Sequence, residues 1–209
     1  MSDVEPVARK APQVPEWLKG RVGLIVGALA IMWASEIIDT APGLDLDGFG
    51  IRPRMIDSLD GILWSPFLHF SFGHLIANTI PFAILSGLVL VRGARRWLIA
   101  SVIIIALGGL AVWALSPGIN DLHAGASGWV FGLFGFLLAS AAFERKPLSI
   151  GIALVALVLY GGTLIIGFVP RPGLSWEGHL FGFIAGVVAA RLMTPRKIST
   201  NTPETSPAS

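Results

Sequence analysis

Gly125-Ala126-Ser127-Gly128 opens directly onto the apolar run from Trp129 to Ala142. Two readings of this junction compete. It is either a loop meeting a buried helix, or a serine placed at a helix N-terminus, where unbonded N–H groups and the positive end of the dipole face any anion that develops beside it. Only the rest of the chain can separate them.

The 209 residues are 54% hydrophobic and 13% charged, whereas soluble domains carry about 25% charged residues. The deficit falls in long blocks, which makes the class an all-α polytopic membrane protein. The basic residues lie between these blocks, where membrane topology places them, so they do not indicate nucleic-acid binding. There is no cysteine, which excludes disulfides, thiol catalysis and cysteine-based metal sites.

Residues 1–18 are polar, lack apolar periodicity and read as a disordered arm. Six apolar segments follow, at about Val22–Ile38, His74–Val91, Trp97–Leu115, Gly128–Phe143, Leu148–Val169 and Trp176–Met193. The first is expected to stay as a span rather than be cleaved as a signal peptide. Residues 194–209 are rich in Thr, Ser and Pro and read as a disordered tail. The membrane domain is therefore expected over 19–193. Between the first two segments, Met55, Ile56, Leu59, Ile62 and Leu63 share one helical face behind Pro53, which predicts a short amphipathic helix in the membrane interface.

The positive-inside rule then orients the chain. With the N-terminus inside, twelve basic residues lie on the cytoplasmic side and only Arg52, Arg54 and Arg171 outside. Both termini are expected in the cytoplasm, in the plasma (inner) membrane. Segments two, four and six then all begin at the outer face, and their N-terminal ends carry His74 with Asn78 one turn on, Ser127, and His179. Polar groups in a membrane face the bundle interior or a water-filled cavity. The fourth segment is short. Its 16 residues reach about 24 Å against roughly 30 Å of hydrocarbon, which predicts Ser127 recessed at the floor of a wet cavity open to the outside. Gly128/Gly132 and Gly182/Gly186 are small-xxx-small pairs. If those faces meet, Ser127 and His179 stand together as a nucleophile and base. Glu177 is expected in the outer loop, which leaves a dyad without a carboxylate.

In these motifs the chain resembles the rhomboid family of intramembrane serine proteases. Gly125-Ala126-Ser127-Gly128 fits its G-x-S-G pattern, His69 to Asn78 its H-x4-H-x3-N pattern, and His179 to Gly186 its H-x-x-G-x-x-x-G pattern. The resemblance covers about residues 20–193. It implies a six-helix bundle with a short central fourth helix and a serine endopeptidase without cofactor or metal. Ser127 would be the nucleophile and His179 the base and acid. Asn78, His74 and the Ser127 N–H would form the oxyanion hole. His69, Gly125, Gly128, Phe131 and Gly182 would be supporting residues. Substrates would be single-span membrane proteins cut within the bilayer. The first outer loop departs from the family, with Trp64-Ser65-Pro66 where many relatives carry Trp-Arg. Phe131 occupies the place of a frequent tyrosine, so it can stack beneath His179 but cannot hydrogen-bond.

Three other readings stand beside this one. A catalytically silent rhomboid-like protein would bind membrane helices without cutting them. A metal-dependent hydrolase would need His69, His74, His123 and His179 to converge, although His123 is expected to be solvated in a polar turn and there is no H-E-x-x-H. A transporter would place its polar residues near the midplane at a repeat interface, and no inverted repeat is evident.

Overall fold

The computed structural model describes residues 15–118, 121–171 and 173–195. The predicted arm and tail lie almost wholly outside the described residues. Among the described residues there are seven α-helices and no strand: α1 (Glu16–Asp39), the single turn α2 (Gly61–Trp64), α3 (Phe72–Leu90), α4 (Ala94–Leu115), α5 (Ser127–Glu144), α6 (Pro147–Ile166) and α7 (Trp176–Met193). The six long helices match the six apolar segments. Four of them, α1, α3, α4 and α5, are long and apolar enough to cross a membrane. The main boundary shift is at α1, which begins at Glu16 rather than near Val22, because Trp17, Lys19 and Arg21 extend its first turns. The side chain of Arg21 lies over the Trp17 ring, 4.6 Å from its centroid.

Short polar signals set the helix starts. Ser71 is extended and its hydroxyl accepts from the His74 N–H at 3.2 Å. Ser175 does the same for Gly178 at 3.2 Å. Both are N-caps. Arg145 closes α5 in the left-handed region (φ 53°), its N–H bonded to the Ala141 carbonyl at 3.0 Å, and Pro147 starts α6 after this tight turn.

Helix α5 is the centre of the bundle, with Trp129 to Leu137 buried without a break. Trp129 packs among Phe67, Phe82 and Trp97, and its indole N–H donates to the Ser101 hydroxyl at 3.0 Å. The tightest neighbour of α5 is α7. A Cβ on Gly182 would fall 2.8 Å from the Gly128 carbonyl carbon, and one on Gly186 would fall 2.7 Å from that of Gly132. The paired glycines are therefore in backbone contact, as the small-xxx-small spacing predicts, and dispersion between backbones replaces side-chain interdigitation.

The amphipathic helix predicted over residues 55–63 is not continuous. The segment is a 3-10 turn at Ile56–Ser58, then α2, then a second 3-10 turn at Ser65–Phe67. Two constraints break it. The Ser58 hydroxyl bonds back to the Arg52 backbone, and Gly61 lies so close to the chain at Gly50 that a Cβ would meet the Gly50 carbonyl oxygen at 2.7 Å. The apolar face survives: Ile56, Leu63 and Trp64 are exposed, which suits a segment lying against lipid.

Gly186→Val should force α5 and α7 apart and destabilise the bundle by roughly 1–3 kcal/mol or more. A lower thermal midpoint in detergent checks this, with Gly162→Val on α6 as a control at a position with open space around it.

Candidate active site

The residues 123–126 that lead into α5 are held by the first loop at four points. The His123 and Ile51 backbones exchange two hydrogen bonds of 2.9 Å each. The Gly125 N–H donates to the Ser65 carbonyl at 2.8 Å. The Ala126 N–H donates to His69 Nε2 at 3.3 Å. Gly125 is required twice over. Its φ of 122° disfavours any side chain, and a Cβ there would lie 2.6 Å from His74 Cε1. Ser127 then opens α5 with no side-chain cap, and the first intrahelical bond runs from the Val130 N–H to the Ala126 carbonyl at 2.9 Å. The helix start thus presents backbone donors toward whatever lies beside Ser127.

A cavity of about 770 Å³ lies there, lined by Ser127, His74, His123, Glu177, His179 and Arg171 among others. Its polar lining fits the wet cavity predicted above Ser127. His179 is buried on the first turns of α7. Its ring lies flat on Phe131, with 4.1 Å between centroids and 3° between planes, so the predicted stacking is present. Its Nδ1 is 2.7 Å from the Gly167 carbonyl oxygen. A carbonyl only accepts, so Nδ1 carries the proton, and the neutral ring keeps Nε2 as its acceptor.

The remaining predicted residues separate into two groups. His74 reaches the cavity, stacked against Phe70 and edge-on to His69. Asn78 is buried one turn deeper on α3 and does not line the cavity, and its amide donates to the His74 carbonyl at 3.2 Å. The other amide hydrogen has no acceptor within its own turn. His69 is buried and acts on the Ala126 backbone rather than on the cavity. Gly128 and Gly182 form the helix contact beneath.

Two expectations change. His123 is buried rather than solvated, with Nδ1 2.7 Å from the Ser175 hydroxyl oxygen, and burial pushes its pKa down. Glu177 belongs to the first turn of α7 and is buried near His123, not in the outer loop. Ser175 could have been read as an N-cap ahead of an apolar run. The Gly167 carbonyl could not, because nothing in the sequence marks which backbone oxygen a distant ring will meet. Among the described residues no three His, Cys, Asp or Glu side chains are grouped to hold a metal ion.

Outside the helices the electrostatics concentrate on His69 and Asp47. Burial, with the charge of His74 adding to it, lowers the His69 pKa to about 4. Burial and then the carboxylates of Asp39, Glu36 and Asp45 raise that of Asp47 to about 6, against a hydrogen bond from the His69 backbone that lowers it. The signs oppose each other. A histidine held neutral stabilises the fold above its unfolded pKa of about 6.5, and this is lost as pH falls toward 4. A carboxyl with a raised pKa does the reverse, adding stability as pH falls through 6. Asp47→Asn should therefore make stability fall more steeply between pH 6.5 and 4, and a further His69→Gln should flatten that slope. Thermal midpoints measured across this range check both.

Comparison with known proteins identifies the family. A family model described as the rhomboid domain matches residues 58–196. An uncharacterized protein of Mycobacterium tuberculosis is 42% identical over 189 residues, covering 86% of this chain and 78% of its own. One of Mycobacterium leprae is 38% identical over 187 residues, covering 85% and 73%. A Bacillus subtilis protein named "Putative rhomboid protease YdcA" is 26% identical over 131 residues, covering 62% and 65%. The match spans the first loop from Ser58, the Ser127 helix and the His179 helix, and the chain belongs to the rhomboid family.

Proposed function

We propose that this protein is an intramembrane serine protease that cuts the transmembrane segments of single-span membrane proteins. The observation that carries the proposal is the setting of His179. Its ring is fixed on Phe131, its Nδ1 is tied to the Gly167 carbonyl, and it shares one cavity with Ser127. The carbonyl does the orienting work that a carboxylate does in a triad, so a Ser127/His179 dyad suffices.

In this reading the Ser127 hydroxyl oxygen attacks the scissile carbonyl carbon while His179 Nε2 takes its proton. The carbonyl oxygen becomes an oxyanion beside the start of α5, where the Ser127 N–H, His74 and the free amide hydrogen of Asn78 stabilise it. Collapse of the tetrahedral intermediate breaks the C–N bond, and the imidazolium returns the proton to the departing amine. Water, deprotonated by the same Nε2, then releases the acyl group and regenerates the Ser127 hydroxyl. Asn78 would have to turn its amide toward the cavity as substrate enters.

The six long helices would all span the bilayer. Both ends would lie in the cytoplasm, the membrane would be the plasma (inner) membrane, and the Ser127 cavity would open to the outer side; the twelve-to-three partition of basic residues supports this orientation.

Cleavage of a single-span reporter in detergent tests the proposal. Ser127→Ala and His179→Ala should each lower the rate by more than about 10³-fold, and Asn78→Ala by about 10²–10³-fold. Cutting by Ser127→Ala at the wild-type rate would refute the dyad. Folded wild type that neither cuts nor takes up a fluorophosphonate at Ser127 would instead be a silent relative that binds membrane helices.

A further inference from the structure

At the end of the bundle opposite Ser127 lies a second cavity, of about 880 Å³. Arg92 from the α3–α4 turn, Arg96 from α4, Arg145 and Lys146 from the α5–α6 turn, and Arg191 from the last turn of α7 all line it, with Glu144 as the sole carboxylate among its described lining residues. Glu144 is fully engaged. Arg92 and Arg96 both bond it, and the Ser149 hydroxyl donates to it at 2.7 Å. Among the described residues, Arg145, Lys146 and Arg191 have no carboxylate partner. Arg96 lies over the Phe136 ring, and its Nε–H is buried with no acceptor.

Topology alone explains basic residues at a helix end, but such residues ordinarily fan out into water. Here side chains from four separate segments converge on one hollow, while the neighbouring Arg95 is exposed and does not line it. Five cationic side chains against one engaged carboxylate leave an excess of positive charge that calls for an anion with several acceptor oxygens. Phe143 lines the cavity and is 40% exposed, and Leu148 and Leu192, two and one residues beyond the lining residues Lys146 and Arg191, are also exposed.

We infer that this cavity binds a phosphate-bearing anion, and that an anionic phospholipid fills it, with its headgroup phosphate among Arg96, Arg145, Lys146 and Arg191 and its acyl chains leaving over Phe143 and Leu192. A basic pocket between transmembrane helices suits such a headgroup because the bilayer holds the ligand beside the site at high local concentration. Occupancy would also cross-link α4, the α5–α6 turn and α7 through one ligand, and so stabilise the helix pairing from the end remote from Ser127. The site is independent of whether the other cavity is catalytic.

Native mass spectrometry of the full chain in a neutral detergent tests this with three probes: phosphatidylglycerol, phosphatidylcholine and inorganic phosphate. Wild type should retain phosphatidylglycerol at least about tenfold more strongly than phosphatidylcholine. The combined Arg145→Gln, Lys146→Gln, Arg191→Gln variant should lose about tenfold or more of that retention. Arg95→Gln should lose none, and both variants should keep the wild-type thermal midpoint in lipid-free detergent. Added salt should weaken retention. If inorganic phosphate displaces the lipid at matching concentration, the anion site stands but free phosphate is its ligand. Equal retention of the two lipids by wild type would overturn the proposal. So would equal losses from Arg95→Gln and the triple variant, since charge at that end, rather than the cavity, would then be responsible.

Discussion

The contact of Gly128 and Gly132 with Gly182 and Gly186 is the constraint on which the rest of the structure depends. Without side chains at these positions, α5 and α7 approach until backbone meets backbone. The distance between the helices is then set by main-chain atoms, which cannot change rotamer. Ser127 lies one residue before Gly128, and His179 three residues before Gly182. One close-packed contact therefore fixes the depth of both side chains relative to each other. Gly108 of α4 joins the same contact, 3.3 Å being the distance from its Cβ position to Gly182 Cα.

Helix packing places the two side chains but leaves the approach to Ser127 undefined, because residues 121–126 are irregular. Irregular backbone at membrane depth survives only where its polar groups are satisfied within protein or beside water. Here the first loop supplies that satisfaction through Ile51, Ser65 and His69. The loop therefore acts as a template for the positive-φ residue Gly125. His69, held neutral by burial, can accept from Ala126 because its unprotonated Nε2 keeps a lone pair. At residues 64–66 it is the Ser65 carbonyl, not a side chain, that holds Gly125.

The two ends of the bundle differ in what they ask of their surroundings. The Ser127 end gathers imidazoles, a hydroxyl and backbone donors around a cavity, an arrangement that would stabilise charge appearing during the proposed reaction. The Glu144 end gathers permanent cations around another cavity. The closely packed aromatic and glycine residues along α5 lie between the two.

The sequence alone determined the class, the six long helices to within a few residues at most ends, the gathering of three polar helix starts at one end of the bundle and the glycine pairing. Each of these rests on local composition or on periodic spacing, which survive in one dimension. Tertiary structure alone decided what holds each polar group. The Gly167 carbonyl orients His179, Ser175 draws His123 into the interior, Glu177 is buried on α7, and the 55–63 segment breaks into turns because Gly61 must lie on the chain at Gly50. Those outcomes depend on contacts between residues far apart in the chain, and an isolated pattern of residue types carries no record of them. Asn78 divides between the two: its amide meets the His74 carbonyl within one turn of α3, a contact local to the sequence, whereas its burial comes from the helices packed around it.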